Sequence, residues 1–146
     1  MQDISFWALG WHLTGAQNRI QPAIPPVIEF LRERYPGVRE AEVTAELGRE
    51  FRAAVLDGPA GLQTYLGNRF VGAFTVTGLR CAAASFPVRD HGTTVAAFVV
   101  LDAALLSRPP GEWHPCPPVP QVKGPSRVDA LRALLADLMD AAARPG

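Results

Sequence analysis

Three histidines and two cysteines are the residues of this chain best suited to acid–base, nucleophilic or metal chemistry. His12 lies near the N-terminus, His91 in a polar turn between apolar runs, and His114 in a proline-rich segment. No histidine stands in a motif that pairs it with a nucleophile or a carboxylate, as general-base catalysis requires. Asp90 beside His91 is explained by turn formation, with Gly92 at positive φ. The sequence assigns no catalytic residue and favours a protein that is not an enzyme.

Cysteine and glycine patterns indicate neither a metal site nor a nucleotide site. His114 and Cys116 could supply two ligands, whereas a zinc site needs three or four, and Cys81 belongs to an apolar run. The glycines of DGPAG (57–61) and of TYLGNRFVGAF (64–74) lack both the GxGxxG spacing and the lysine of a phosphate-binding loop. We expect no metal, and the residues point to no particular cofactor.

The composition describes one electrically balanced domain. The 146 residues are 48% hydrophobic and carry 14 basic and 14 acidic side chains, for a formal net charge of zero. A chain of this length buries roughly 70% of the surface that its unfolded form exposes, so we expect a single domain over 1–146. No segment concentrates positive charge as a phosphate-binding surface would, and nucleic acid is not an expected partner. Lys123 is the only lysine, and the abundance of arginine and alanine is typical of a GC-rich bacterial genome.

The cysteine content and the N-terminus predict the compartment. Two cysteines do not make a disulfide framework, and a reduced, buried thiol at Cys81 suits a reducing environment. The segment MQDISFWALGWHLTG is apolar, yet it lacks a basic n-region, and Gly10 and His12 interrupt it. It is also too short to span a bilayer. We therefore expect a cytoplasmic protein without a membrane partner.

Two helices are predicted in the first half of the chain. The first begins at Pro25, because proline in the first turn loses no hydrogen bond, and runs to about residue 35. The second covers Val43–Glu50 with Thr44 as candidate cap, since apolar residues recur there every four positions. Residues 4–13 fit either a helix or a strand, and Asp3 as a candidate cap favours the helix. Residues 51–66 could continue the second helix or form a hairpin.

The chain closes with an amphipathic helix that follows a proline-rich segment. Seven of the 14 prolines fall between Pro109 and Pro125. Neither a helix nor a strand can be sustained at that density, so 108–125 is predicted to be a loop before the C-terminal helix. Leucines then recur at helical spacing, with Ser126 as candidate N-cap and Asp129 in the first turn.

Three segments rich in valine, phenylalanine and threonine lie between these helices, at 69–78, 79–88 and 93–106. Consecutive strands with such short links are expected to run antiparallel. Alternation along the second segment places Cys81 and Ser85 on the same face. Because both faces of the sheet are apolar, helices or a partner subunit should cover both. The sequence thus predicts an α+β fold with a central antiparallel sheet flanked by N- and C-terminal helices.

The segment ASFPVRDHGTTVAAFVVLD is similar to the closing hairpin of GAF domains, which are small α/β regulatory modules. Pro87 and Val88 stand at the end of the first strand, Asp90–Gly92 form the turn, and Val95–Leu101 form the return strand. The resemblance covers about residues 79–102. It implies a GAF/PAS-like sandwich, a small-molecule pocket on one sheet face, and a homodimer formed through terminal helices. It therefore implies a non-catalytic sensing or regulatory domain that acts in signalling.

Small residues on the predicted sheet, including Gly72 and the run Cys81–Ser85, allow two explanations. Close packing of a helix is the simpler one, and room for a ligand is the alternative. In the second case Trp11, Tyr65 and Phe74 would form aromatic walls. Arg69 or Arg80 would anchor an anionic group. The remaining ligand-binding residues would be Cys81 and Ser85.

Two other functions are compatible with the sequence. A protein-interaction or assembly module would use the aromatic N-terminus and the 108–125 segment, because proline-rich chains lose little entropy on binding. Trp113 in that segment either packs in the core or belongs to a subunit interface. A winged-helix regulator would need a base-reading helix at 60–66, where only Gln63 and Thr64 are suitable, and its strands are too apolar for an exposed wing.

Overall fold

A computed structural model describes residues 4–5, 20–56, 70–90, 93–109, 112–113 and 126–143. Within these residues the strands are β1 (Ile4–Ser5), β2 (Ile20–Pro22), β3 (Arg39–Glu40), β4 (Phe70–Thr77), β5 (Ala83–Asp90) and β6 (Thr93–Asp102). The helices are α1 (Pro25–Arg32), α2 (Ala45–Leu56), α3 (Ala103–Leu106) and α4 (Arg127–Ala143). The fold class is α+β, as the sequence predicts.

Two segments with ambiguous patterns are described in part. Of residues 4–13, the pair Ile4–Ser5 forms strand β1. Of residues 51–66, the first six belong to α2, so the helical interpretation is correct there. The remaining residues of both segments lie outside the described ranges.

The helices begin where the sequence supplies a cap. Before α2, the Thr44 hydroxyl accepts a hydrogen bond from the Leu47 N–H at 3.1 Å. Before α4, the Ser126 hydroxyl accepts from the Asp129 N–H at 3.1 Å and donates to the Asp129 carboxylate at 2.9 Å. Both predicted caps are therefore confirmed. α1 lacks a side-chain cap and starts with Pro25, whose missing N–H would have had no partner there.

The strands form one mixed sheet in the order β1-β5-β6-β4-β2, with β3 pairing with β4 beside the end of β2. β5 and β6 are antiparallel, with Ala83 opposite Leu101 and Asp90 opposite Thr93, so the predicted hairpin is confirmed. β4 is parallel to both β6 and β2, and β1 is parallel to β5. The prediction of an antiparallel sheet throughout is wrong.

The position of β6 between β4 and β5 explains this error. β4 and β5 do run in opposite directions, as their short connection at 78–82 demands, but they are not neighbours. The link from β4 to its parallel neighbour β6 is strand β5 together with its two turns. Residues 78–82, which we call the crossing loop, therefore pass over the carboxyl end of β6. There the Asp102 N–H donates to the Ala82 carbonyl at 2.8 Å.

The crossing loop contains two residues at positive φ. Gly78 has φ 81° and Arg80 has φ 69°. These bends break the alternation that the sequence predicts for a strand from residue 79 onward. Cys81 lies in the same core cluster as Phe86, whereas Ala82 lies in the cluster on the other side of the sheet. The strand accordingly starts four residues later than predicted, at Ala83.

Helices cover both faces of the sheet, as predicted. α1 packs on the face that presents Phe74, Phe86 and Phe98, which we call the α1 face. α2 and α4 pack on the face that presents Ala83 and Val99, which we call the α4 face. The buried residues of α4 are Ala130, Leu131, Leu134, Leu135 and Leu138. The apolar stripe of the C-terminal helix is thus used for packing within the chain.

Candidate functional site

Four of the seven residues that the sequence assigned to one ligand pocket lie in the described part of the chain, and they do not share one face of the sheet. Phe74 and Cys81 are buried in the core cluster of the α1 face. Ser85 alternates with Phe86 along β5 and so faces α4 instead. Arg80 is exposed on the crossing loop. The structure does not bring these four residues together. The three other predicted residues, Trp11, Tyr65 and Arg69, lie outside the described residues.

Phenylalanine side chains fill the α1 face. The ring centroid of Phe98 lies 5.4 Å from that of Phe86 and 5.8 Å from that of Phe74. Phe30, from α1, stands edge-on to Phe86 with the centroids 5.2 Å apart. Rings at these distances stabilise one another beyond their buried area. Phe74 is accordingly a core residue in this arrangement.

The carboxyl ends of the parallel strands β4 and β6 are closed by the crossing loop. Sheets with parallel strands commonly bind ligands at this edge. Here the buried residues Leu79 and Cys81 of the crossing loop occupy it. Asp102 is 3% exposed and holds the loop in place. Its carboxylate accepts the N–H of Leu79 at 3.2 Å and those of Ala104 and Leu105 at 3.0 and 3.1 Å. One side chain thus caps α3 and anchors the crossing loop.

Ser85 carries an unsatisfied polar group on the α4 face. Its hydroxyl is buried and has no hydrogen-bond partner in the described part of the chain. Helix α4 packs directly on β5 and β6. The small residues Ala83 and Ala97 beside it are buried under this helix. Small side chains on this face therefore allow a helix to approach closely, which is the simpler of the two explanations considered above.

A groove of about 620 Å³ lies between α1 and β3, and we call it the α1–β3 groove. Its apolar lining consists of Ala23, Pro25 and Ile28. Its charged lining consists of Glu29 and Arg32 from α1 and Arg39 and Glu40 from β3. Pockets for small molecules have volumes of roughly 300–1,000 Å³. The α1 residues share one helix face because they follow the 3–4 residue spacing of a helix.

One buried threonine of β4 joins the two sides of this groove. The Thr75 carbonyl accepts hydrogen bonds from the N–H groups of Ala23 and Ala41, each at 3.1 Å. Its hydroxyl donates to the Ala41 carbonyl at 2.6 Å. Ala23 precedes α1 and Ala41 follows β3, so Thr75 sets the spacing between the two elements that line the groove.

The charged side chains of the groove make no ion pair within the described residues. The ion pairs among the described residues lie elsewhere and join Arg127 to Glu50 at 2.7 Å and Arg132 to Asp129 at 2.9 Å. Asp129 and Arg132 are three positions apart on α4, which is also the spacing of Glu29 and Arg32 on α1. The pair on α4 forms and the pair on α1 does not. The groove therefore presents exposed charges of both signs that are available to a ligand.

Comparisons of this chain with protein-family models, curated proteins and solved structures find no match. Its function is therefore inferred from the arrangement of its own residues. Among the described residues, no three His, Cys, Asp or Glu side chains are grouped as a metal ion would require. None of the helices in the described ranges has the length and apolar character needed to cross a membrane.

A second groove, of about 400 Å³, lies where α2, α3 and α4 meet. Arg127 lines this groove and makes several contacts in it. Its guanidinium pairs with Glu50, donates to the Leu106 carbonyl and donates to the Arg108 carbonyl at 2.8 Å. The same guanidinium lies 5.3 Å from the ring centroid of Trp113. Trp113 is buried and its indole N–H donates to the Arg108 carbonyl at 3.0 Å, which makes it a core residue. The Arg127 side chain is thus engaged by the chain itself.

Replacing Arg127 by alanine should lower the free energy of unfolding by about 2 kcal/mol, since two hydrogen bonds to carbonyls, a partly buried ion pair and a cation–π contact are lost. Arg127→Lys should recover about half of that, because lysine keeps the charge but lacks the planar fork of donors. Urea denaturation measures both changes. Arg49→Ala, at an exposed position of α2, is the control. An alanine variant as stable as this control would contradict the anchoring role of Arg127.

Three predictions depend on segments outside the described residues. The proline-rich segment is described only at 108–109 and 112–113, and residues 60–66 are not described. The interaction module and the homodimer therefore stay predictions. The winged-helix alternative needs an exposed β-wing, whereas β4, β5 and β6 lie between helices on both faces.

The groove residues were not among the candidates from the sequence. Glu29 and Arg32 have the pattern of a solvated helix face, and Arg39 and Glu40 that of a polar connector. Residues 29–40 hold three acidic and three basic side chains, and this density of both charges is a visible signal. Their convergence depends on the pairing of β3 with β4, which no local pattern predicts.

Proposed function

We propose that the protein is a non-catalytic regulatory domain that binds a small polar molecule in the α1–β3 groove. This is the role that the GAF/PAS-like resemblance of residues 79–102 implies. The mixed sheet differs from the antiparallel sheet expected from that resemblance. The ligand site also differs, because the aromatic α1 face is filled by protein.

The observation that supports this proposal is the composition of the groove. An apolar lining from Ala23, Pro25 and Ile28 adjoins charged side chains without ion-pair partners in the described chain. Ligand pockets combine apolar surface with a few polar groups that fix orientation in this way. The groove also adjoins the carboxyl end of β2, which is the edge where α/β sheets commonly bind ligands.

The groove is connected to the sheet in a manner that suits regulation. α1 lies on one side and β3 on the other, and both are attached to β4 through Thr75. A ligand that draws α1 and β3 together must therefore act on β4, which pairs with the central strand β6. A binding event at the surface would in this way change the stability of the whole domain.

Thermal-shift screening of the full chain against small polar metabolites tests the proposed function. A ligand at a hundred times its dissociation constant adds about 2.7 kcal/mol of stability, which raises Tm by roughly 5–10 °C for a chain of this size. The variant Glu29→Trp should abolish this shift, because the indole occupies the groove. Glu33→Trp is the matched control, since Glu33 is an exposed residue at the end of α1 that does not line the groove.

The proposal fails if no compound stabilises the wild-type protein. It also fails if the compounds that do so stabilise both tryptophan variants equally. Either result would leave the α1–β3 groove without a ligand.

A further inference from the structure

We propose that the ligand of the α1–β3 groove is dipolar, with an anionic and a cationic group on an apolar body, as in a free amino acid or a short peptide with unblocked termini. This inference rests on the function proposed above and specifies the chemistry of the ligand. It follows from the signs of the charges in the groove, from their lack of ion-pair partners among the described residues and from the apolar residues beside them.

The signs of the charges favour a ligand of zero net charge. Two arginines and two glutamates line the groove, so their formal charges cancel. An anion that bound Arg32 or Arg39 would also lie within the same groove as two carboxylates, and a cation would meet two guanidinium groups. Repulsion of this kind discriminates against singly charged ligands. A dipolar ligand places each of its groups beside the opposite charge.

The arginine side chains offer a suitable partner for a carboxylate. A guanidinium can donate two parallel hydrogen bonds to a carboxylate, and such charge-assisted bonds are about twice as strong as neutral ones. Glu29 and Glu40 can accept hydrogen bonds from an ammonium group, which has three donors. Both functions are present at the ends of an amino acid or peptide.

The absence of an ion pair between Glu29 and Arg32 distinguishes this groove from other helix surfaces of the protein. Asp129 and Arg132 have the same spacing and pair at 2.9 Å, so that spacing can form an ion pair in this fold. In the described part of the chain Glu29 and Arg32 remain separate and both line the groove. A ligand therefore does not have to break an existing ion pair in order to bind them.

The apolar lining requires an apolar body on the ligand. Ala23 and Ile28 are largely buried, and Pro25 adds the side of its ring at the start of α1. Burial of apolar ligand surface contributes about 25 cal/mol per Å². An aliphatic side chain on the dipolar ligand would use this surface, whereas glycine would not.

Isothermal titration calorimetry with the full chain and four probes tests the inference. L-leucine and leucyl-leucine carry both charges, N-acetyl-leucine carries only the negative charge, and leucine amide carries only the positive charge. At least one of the two dipolar probes should bind about ten-fold more tightly than either singly charged probe, which corresponds to about 1.4 kcal/mol. Comparison of L-leucine with leucyl-leucine distinguishes an amino acid from a peptide as the ligand.

Variants that remove one positive or one negative charge show whether the dipolar probe binds in the groove. Arg32→Gln and Glu29→Gln should each weaken the dipolar probe by about ten-fold, since each removes one charge-assisted contact. Arg49→Gln on α2 is the control and should bind the probe like the wild type. Circular dichroism establishes that the variants are folded, which is expected because all three positions are exposed.

The outcomes separate this inference from the proposed function. If singly charged probes bind as tightly as dipolar ones, or if no dipolar probe binds while another metabolite is sensitive to Glu29→Trp, the dipolar inference is overturned and the proposed function stands. If no binder is sensitive to Glu29→Trp, both are overturned. Ten-fold selectivity for a dipolar probe, lost in Arg32→Gln and Glu29→Gln but kept in Arg49→Gln, supports both.

Discussion

Replacing Gly78 by alanine should destabilise the protein by about 3 kcal/mol or more, because a left-handed conformation and a backbone clash act together. Gly78 has φ 81°, a region that residues with a Cβ adopt at a cost. A Cβ at this position would lie 2.5 Å from the carbonyl oxygen of Gly37 and 3.0 Å from its carbonyl carbon. Both are backbone atoms and cannot move away as a flexible side chain would. The connection before β3 or the crossing loop must shift.

Two variants serve as controls for this prediction. Gly37→Ala should change the free energy of unfolding by less than about 0.5 kcal/mol, because no atom lies within 4 Å of the added methyl group. Arg80→Gly, in the same loop, should be neutral or slightly stabilising, since it relieves the positive φ of a residue with a side chain. Urea denaturation gives all three values. A Gly78→Ala variant no less stable than Gly37→Ala would show that the contact of the crossing loop with Gly37 is incorrect.

Replacing Asp102 by alanine should lower the free energy of unfolding by about 3 kcal/mol, because one buried and two partly buried N–H groups lose their acceptor. Two of these groups begin helix α3, and the third is the N–H of Leu79 in the crossing loop. Water cannot replace the carboxylate without opening the core, since Asp102 is 3% exposed and Leu79 is fully buried. The variant therefore affects the helix and the loop together.

Asp102→Asn distinguishes the two roles of the carboxylate. Its single amide oxygen can accept from α3 or from Leu79 but not from both sides in the native geometry, so we expect about half the loss. Hydrogen exchange should accelerate at the Leu79, Ala104 and Leu105 amides in the alanine variant. Unchanged protection at Leu79, with faster exchange only in α3, would mean that Asp102 caps the helix without holding the loop.

Features that depend on neighbouring residues could be predicted from the sequence. Thr44 and Ser126 were identified as caps because the donor they bond lies three residues away, and the structure confirms both. The β5–β6 hairpin was predicted because its turn and both its strands are contiguous. In each case the pattern that predicts the element also includes its bonding partners.

The order of the strands could not be predicted in the same way. Short connections specify that β4 and β5 run in opposite directions, but they do not specify that the two are neighbours. Insertion of β6 between them depends on the pairing of residues more than twenty positions apart, such as Phe74 opposite Val100. The assignment of Cys81 to the face of Ser85 failed for a related reason, because a positive φ at Arg80 is not signalled by the residue type.

The candidate site likewise combines a feature that the sequence predicts with one that depends on contacts between distant residues. The sequence indicated that small residues line the sheet, but whether such residues face a helix or a cavity depends on what packs against them. α4 occupies the face of Ala83, and Phe30 of α1 reaches Phe86 on the other. The α1–β3 groove arises where two separate elements meet on β4, so the sequence shows its charges between residues 29 and 40 but not that they line one groove.

The central position of β6 has a consequence for synthesis of the chain. β6 follows β4 and β5 in the order of translation, yet it supplies the hydrogen bonds that each of them makes on its inner edge. A ribosome that has released residues only as far as Asp90 thus exposes one unpaired edge on each of two apolar strands, and such edges are prone to aggregate. Emergence of residues 91–102, which end with strand β6, converts both exposed edges into paired ones. Nascent chains stalled before this point should need a chaperone, whereas those stalled after it should not.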